Sequence, residues 1–135
     1  MTDKRDVTGV WYGRFSGAFG VYPNRFIAHL DEVGGSISGT TSEPDDFGDA
    51  GVLNAYVTGT RGGAAVQFVK QYDGAAHCAH AVDYSGAIDA DGTEITGKWR
   101  FGRYSGRFVM ERERFEQELL AEERGVALDA EVDAR

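Results

Sequence analysis

The chain has one cysteine, two prolines and three histidines among 135 residues, and no apolar run approaches the roughly 18 residues that a membrane-spanning helix requires. A lone Cys78 excludes an intrachain disulfide framework and fits a reducing cytoplasm. The opening "MTDKRDVTG" has no apolar core of the secretory type, so a cytoplasmic setting without a membrane partner is expected. Basic residues are also in short supply, 14 Lys and Arg against 22 Asp and Glu, for a formal charge of −8. Nucleic-acid phosphates demand a basic footprint, so no nucleic-acid partner is expected. The acidity is uneven: residues 1–110 carry a net −3 and residues 111–135 a net −5. A solvated acidic tail accounts for this without a binding role.

What the chain has in quantity is glycine, 19 residues, most of it in or beside segments where apolar and polar residues alternate. That punctuation belongs to an all-β protein. Eight strands are expected, over 7–16, 25–33, 36–42, 52–61, 64–72, 77–87, 93–101 and 104–112. The links "GG" at 34–35 and 62–63, "DG" at 73–74 and 91–92, and "FGR" at 101–103 are short enough to favour antiparallel neighbours in a meander.

Alternation assigns the faces. Val7, Gly9, Trp11 and Phe15 share one face, as do Phe26, Ala28 and Leu30. The same holds for Leu53, Ala55 and Val57, for Val66 and Phe68, for Ile95, Gly97, Trp99 and Phe101, and for Tyr104, Gly106, Phe108 and Met110. An open sheet of this size would leave two edges and one apolar face uncovered, whereas closure removes both problems. Gly9, Gly39, Gly59 and Gly97 each follow a β-branched residue and Thr or Ser, in "VTG", "ISG", "VTG" and "ITG", as the close approaches of a barrel require. The expected fold is an eight-stranded antiparallel up-and-down β-barrel over 1–112. After Met110 the period changes: Phe115 and Leu119 lie four apart among helix formers, so a C-terminal helix over 113–124 is expected, then a flexible acidic tail over 125–135.

The segments "VTGVWYGRF" (7–15) and "DYSGAIDADGTEITGKWRF" (83–101) resemble the calycin group, which includes lipocalins, fatty-acid-binding proteins and avidins, and the avidins most of all. The first is similar to an avidin opening strand of Thr-Gly-x-Trp-Tyr type. The second is similar to a hairpin in which an aromatic-Ser-Gly strand leads to one ending in Trp. The resemblance implies a small-molecule binding barrel. It does not carry biotin, because the polar run after the first Trp-Tyr is here Gly13-Arg14-Phe15-Ser16, Tyr84 stands where that motif has Trp, and no Trp follows Trp99. In lipocalins a late basic residue packs over the first Trp, a role the resemblance implies for Arg107 or Arg112.

Among chemically active residues, "HCAH" at 77–80 is the one cluster of metal-type ligands. On a strand only two of His77, Cys78 and His80 share a face, so no metal site is expected, nor any cofactor. Lys70 and Tyr72 continue the inward face of Val66 and Phe68, while His80 and Tyr84 share the inward face of Cys78 and Val82. Candidate ligand-binding residues are therefore Trp11, Phe15, Lys70, Tyr72, His80, Tyr84, Trp99 and Tyr104: an aromatic interior with a few polar tips, suited to a small apolar or aromatic molecule. Two alternatives stand beside it. One is a barrel enzyme of cyclase or isomerase type using His80 with Tyr84 and Lys70, although no paired carboxylate is expected on the inward faces. The other is an interaction scaffold with a filled core, for which outward Tyr12, Ile27, Tyr56 and Val109 keep self-association open. His29 is expected on the outer surface. In the acidic loop "EPDDFGDAG" (43–51), Phe47 is expected to fold over the mouth as a lid.

Overall fold

Eight alternating segments form eight strands: β1 (Gly9–Gly17), β2 (Asn24–Val33), β3 (Ser36–Pro44), β4 (Val52–Gly62), β5 (Ala65–Tyr72), β6 (Ala81–Ile88), β7 (Glu94–Phe101) and β8 (Tyr104–Glu111). The structure, a computed structural model, describes residues 3–17, 24–44, 51–73 and 81–112. Each strand pairs antiparallel with the next. β8 returns to pair with β1, setting Gly13 opposite Met110 and Phe15 opposite Phe108, so the sheet is a closed barrel without edges. The expected helix (113–124), the acidic tail (125–135), Phe47 and the "HCAH" cluster lie outside the described residues.

The inward faces meet in one core: Trp11, Phe26, Leu30, Val57, Phe68, Tyr84, Ile95, Trp99, Phe108 and Met110 are all buried within it. Tyr12, Ile27, His29 and Tyr56 are exposed, as alternation requires. Val109, expected to be exposed, is only half-buried. Glycine permits the close strand approaches. A Cβ on Gly97 would overlap the Ser85 carbonyl, and one on Gly39 the His29 carbonyl. In the link between β2 and β3, Gly34 and Gly35 both have positive φ, 56° and 83°, the conformation of a primed hairpin turn.

Two expectations are corrected. β3 runs to Pro44 and not to residue 42, because Glu43 and Pro44 pair with Leu53 and Val52 of β4. Glu43 therefore belongs to the strand, on its inward face, and not to the acidic loop. Phe101, expected inward, is 37% exposed. It is the last residue of β7, where the two-residue turn to β8 carries it to the rim, and its ring stacks on Tyr104 at 6.4 Å.

Meander topology gives the barrel two unlike ends. The turns β2–β3, β4–β5 and β6–β7 share one end with residues 3–8 and the end of β8. There the Arg112 guanidinium lies over the Trp11 ring at 4.3 Å and donates to the carbonyls of Gly92, Thr8, Lys4 and Asp6. The Trp11 indole donates to the Val7 carbonyl at 2.8 Å. Arg61 grips Glu32 through both carboxylate oxygens at 2.6 and 2.9 Å, and Glu32 also accepts the Val7 N–H. These contacts seal that end. The connections β1–β2, β3–β4, β5–β6 and β7–β8 all join strands at the opposite end, the mouth.

Candidate functional site

Near the mouth, β5 sends Lys70 and Tyr72 inward from alternate positions, and β3 sends Glu43 toward them. The Lys70 ammonium donates to Glu43 Oε1 at 3.0 Å, and the Tyr72 hydroxyl donates to the same oxygen at 2.6 Å. Lys70 is wholly buried, with 0% exposure. Four rings surround its nitrogen: Phe15, Phe26, Tyr72 and Tyr84, with centroids 4.7, 4.7, 4.8 and 5.2 Å away. Phe15 meets Trp99 edge to face at 6.1 Å, and the Trp99 indole donates to the Ser16 carbonyl. Tyr84 stacks on Phe68 at 4.8 Å, which anchors the ring set to the core.

The electrostatics follow from burial. Desolvation works against the Lys70 charge, but the Tyr84, Glu43 and Tyr72 oxygens outweigh it and the pKa of the ammonium is raised. Burial pushes the Tyr72 phenol well up and raises Tyr84 as well, despite the nearby Lys70 charge. Lys70 is thus a fixed cation at neutral pH and the two phenols stay protonated. Such a group holds an acceptor well and abstracts protons poorly.

Of the expected site residues, the structure brings Phe15, Lys70, Tyr72, Tyr84 and Trp99 together. Tyr104 packs half-buried beside them at the rim. Trp11 is placed apart, at the sealed end under Arg112, because four residues along β1 carry it away from Phe15. His80 lies outside the described residues. Glu43, an inward carboxylate paired with Lys70 and not with a second acid, escaped sequence reading. Its signal was present: Ile37, Gly39, Thr41 and Glu43 alternate on one face, but a carboxylate followed by Pro44 and more acids reads as a loop. Glu32, paired with Arg61 at the sealed end, is a second carboxylate on an inward position. Among the described residues no three His, Cys, Asp or Glu side chains converge as a metal site.

One buried side-chain atom among the described residues has no hydrogen-bond partner, Thr41 Oγ1. It lies on the inward face two residues from Glu43, between Ala28 and Ala55 on the neighbouring strands. A lone buried hydroxyl is a place for a water or a ligand atom. Two recesses, of about 500 and 310 Å³, open on the outer wall, the larger beside Lys98, Arg100, Arg103 and Tyr104. Lys70, Glu43 and Tyr72 line neither of them, while Trp99 and Tyr104 edge the larger and Tyr84 the smaller.

No family model and no curated protein matches the sequence. Among solved structures the chain is similar to a de novo designed fluorescence-activating β-barrel, with a TM-score of 0.60 and 13% identity, over 84% of this chain and 100% of that one. At that identity the likeness shows the fold alone: an all-β, eight-stranded antiparallel barrel.

Proposed function

We propose that this barrel binds a small, largely apolar or aromatic molecule at its mouth, against Phe15, Tyr72, Tyr84 and Trp99, with the Lys70–Glu43 pair as its polar centre. The observation that carries the reading is the buried ion pair itself. A buried pair contributes little net stability, and well-packed apolar residues of similar volume serve a core as well or better. Here the pair stands inside a ring of aromatic faces, the arrangement of an apolar site with a few convergent polar groups. The designed neighbour is described as a fluorescence-activating barrel, which agrees loosely with ligand binding by such a fold.

A calycin-like ancestry belongs to the same proposal. It is supported by the closed eight-strand meander, by Gly9-Val10-Trp11 in β1, and by Arg112 over Trp11. A cytoplasmic setting and self-association through the wall that exposes Tyr12, Ile27 and Tyr56 are further parts of it. Acid–base catalysis by Lys70 and Tyr84 is disfavoured by their tightly held protons, while His80, the first residue of that alternative, lies outside the described residues. A filled-core scaffold is the second reading, favoured by the outer-wall position of both recesses.

The test uses Trp99 as reporter. In a Trp11→Phe variant the remaining indole sits at the mouth, and titration with neutral aromatic molecules such as 1-naphthamide should give saturable 1:1 quenching. Native mass spectrometry of protein from its own host should show a retained molecule of a few hundred daltons or less. Bare protein mass together with non-saturating quenching would leave the scaffold reading.

A further inference from the structure

In the Lys70 group the cation and its carboxylate partner differ in how firmly their strands hold them. Lys70 lies within β5, paired with Val57 on one side and Val82 on the other, whereas Tyr72 is the last residue of β5 and, among the described residues, is paired with Ala55 alone. Their donor atoms converge on a single point, the position of Glu43 Oε1. Glu43, like Tyr72, is paired on one side only. It is the second-last residue of β3, and it pairs with Leu53 of β4, while the ladder between β2 and β3 stops at Ile27 and Ser42. Its other oxygen, Oε2, accepts no hydrogen bond among the described residues.

We infer that Lys70 and Tyr72 form a carboxylate-binding site, that Glu43 is its built-in occupant, and that a ligand bearing a carboxylate on an aromatic or apolar body exchanges with it. The inference rests on the binding reading above and names the ligand class for that site. Three features favour a carboxylate. The two groups are a cation and a phenol, both donors, and the chain already satisfies them with one carboxylate oxygen at charge-assisted distances. The surrounding rings of Phe15, Phe26 and Tyr84 match an apolar body, and among the described residues they bring no second cation for a more highly charged anion. Exchange replaces one paired carboxylate by another, so the Lys70 ammonium is never left bare, the state that would be costly. Glu43 gives up its contact with Lys70 as the incoming group takes its place. While it occupies the site it acts as a competitor, weakening the apparent affinity in proportion to the fraction of molecules in which the site is open.

Calorimetric titration of the full chain with 1-naphthoate and with the neutral, near-isosteric 1-naphthamide tests this. The unaltered protein should bind naphthoate at least about tenfold more tightly than naphthamide, the difference made by a charge-assisted contact. Glu43→Gln, which keeps the shape and removes the competing charge, should tighten naphthoate binding by about tenfold or more and leave naphthamide little changed. Glu43→Ala/Lys70→Met, which removes both charges together, should abolish the preference for naphthoate. Equal binding of the two ligands by the unaltered protein and by Glu43→Gln would overturn the carboxylate site while leaving the mouth as a binding site. Naphthoate binding to Glu43→Gln alone, with no binding of either ligand by the unaltered protein, would sustain the carboxylate site but show that Glu43 keeps it shut, against the proposed function. Absence of binding by both proteins would overturn both.

Discussion

Lys70→Met tests the physical account of the mouth most directly. The substitution keeps the length of the side chain and removes its charge. Glu43 Oε1 then retains the Tyr72 hydroxyl at 2.6 Å but loses the ammonium at 3.0 Å, inside a barrel where the Glu43 side chain is only 5% exposed. Breaking one side of a buried pair leaves an uncompensated charge and costs about 3–5 kcal/mol. The methionine regains part of this against Phe15 and Phe26, whose faces already surround the Lys70 nitrogen. A net loss of about 3 kcal/mol is therefore expected. With a urea slope of about 1.5 kcal/mol/M, the midpoint should fall by about 2 M at unchanged slope. Lys70→Met/Glu43→Leu removes the orphan as well and should recover most of that loss, since an apolar pair replaces an ionic one at little or no cost. A single variant within about 1 kcal/mol of the parent would refute the reasoning, as would a double variant no more stable than the single.

Trp11→Ala should cost about 3–5 kcal/mol by urea unfolding, because a fully buried indole and its bond to the Val7 carbonyl are both lost. Arg112→Ala releases four carbonyls and the Trp11 face, so hydrogen exchange of residues 3–8 should accelerate markedly, while amides of β4 and β5 far from it keep their protection. In alkaline titration, Tyr72 and Tyr84 should stay un-ionised through the ordinary phenol range near pH 10. The sign is common to these phenols and to Lys70: each folded pKa is raised, so their stabilisation is complete below the unfolded values of 10.0 and 10.5 and is lost as pH rises through the folded ones. Stability should fall above about pH 10, and a flat profile to pH 12 by circular dichroism would contradict this.

Much of the barrel was legible because a strand has a period of two, and period alone sorts inside from outside. Lys70, Tyr72, Tyr84 and Trp99 could be placed inward from their apolar neighbours, and His29 outward, without any knowledge of pairing. The same rule would have placed Glu43 inward, yet local composition overrode it: acid, proline and more acids signal a turn. Only a cation waiting on another strand makes an inward carboxylate tolerable. Phe101 shows the opposite failure, since alternation extended one residue too far at a turn.

The sequence by itself determined the number of strands, their hairpin order and which side chains enter the barrel, because these depend on neighbours within a few residues along the chain. The tertiary structure decided which inward residues share a level. Lys70 and Glu43 are 27 residues apart and lie on β5 and β3, with β4 between them. They meet only because the stagger of paired strands in a closed barrel brings the last turns of both to the mouth. Trp11 and Trp99, written in nearly the same motif, are parted by that stagger: one closes the sealed end beneath Arg112, and the other lines the mouth beside Phe15.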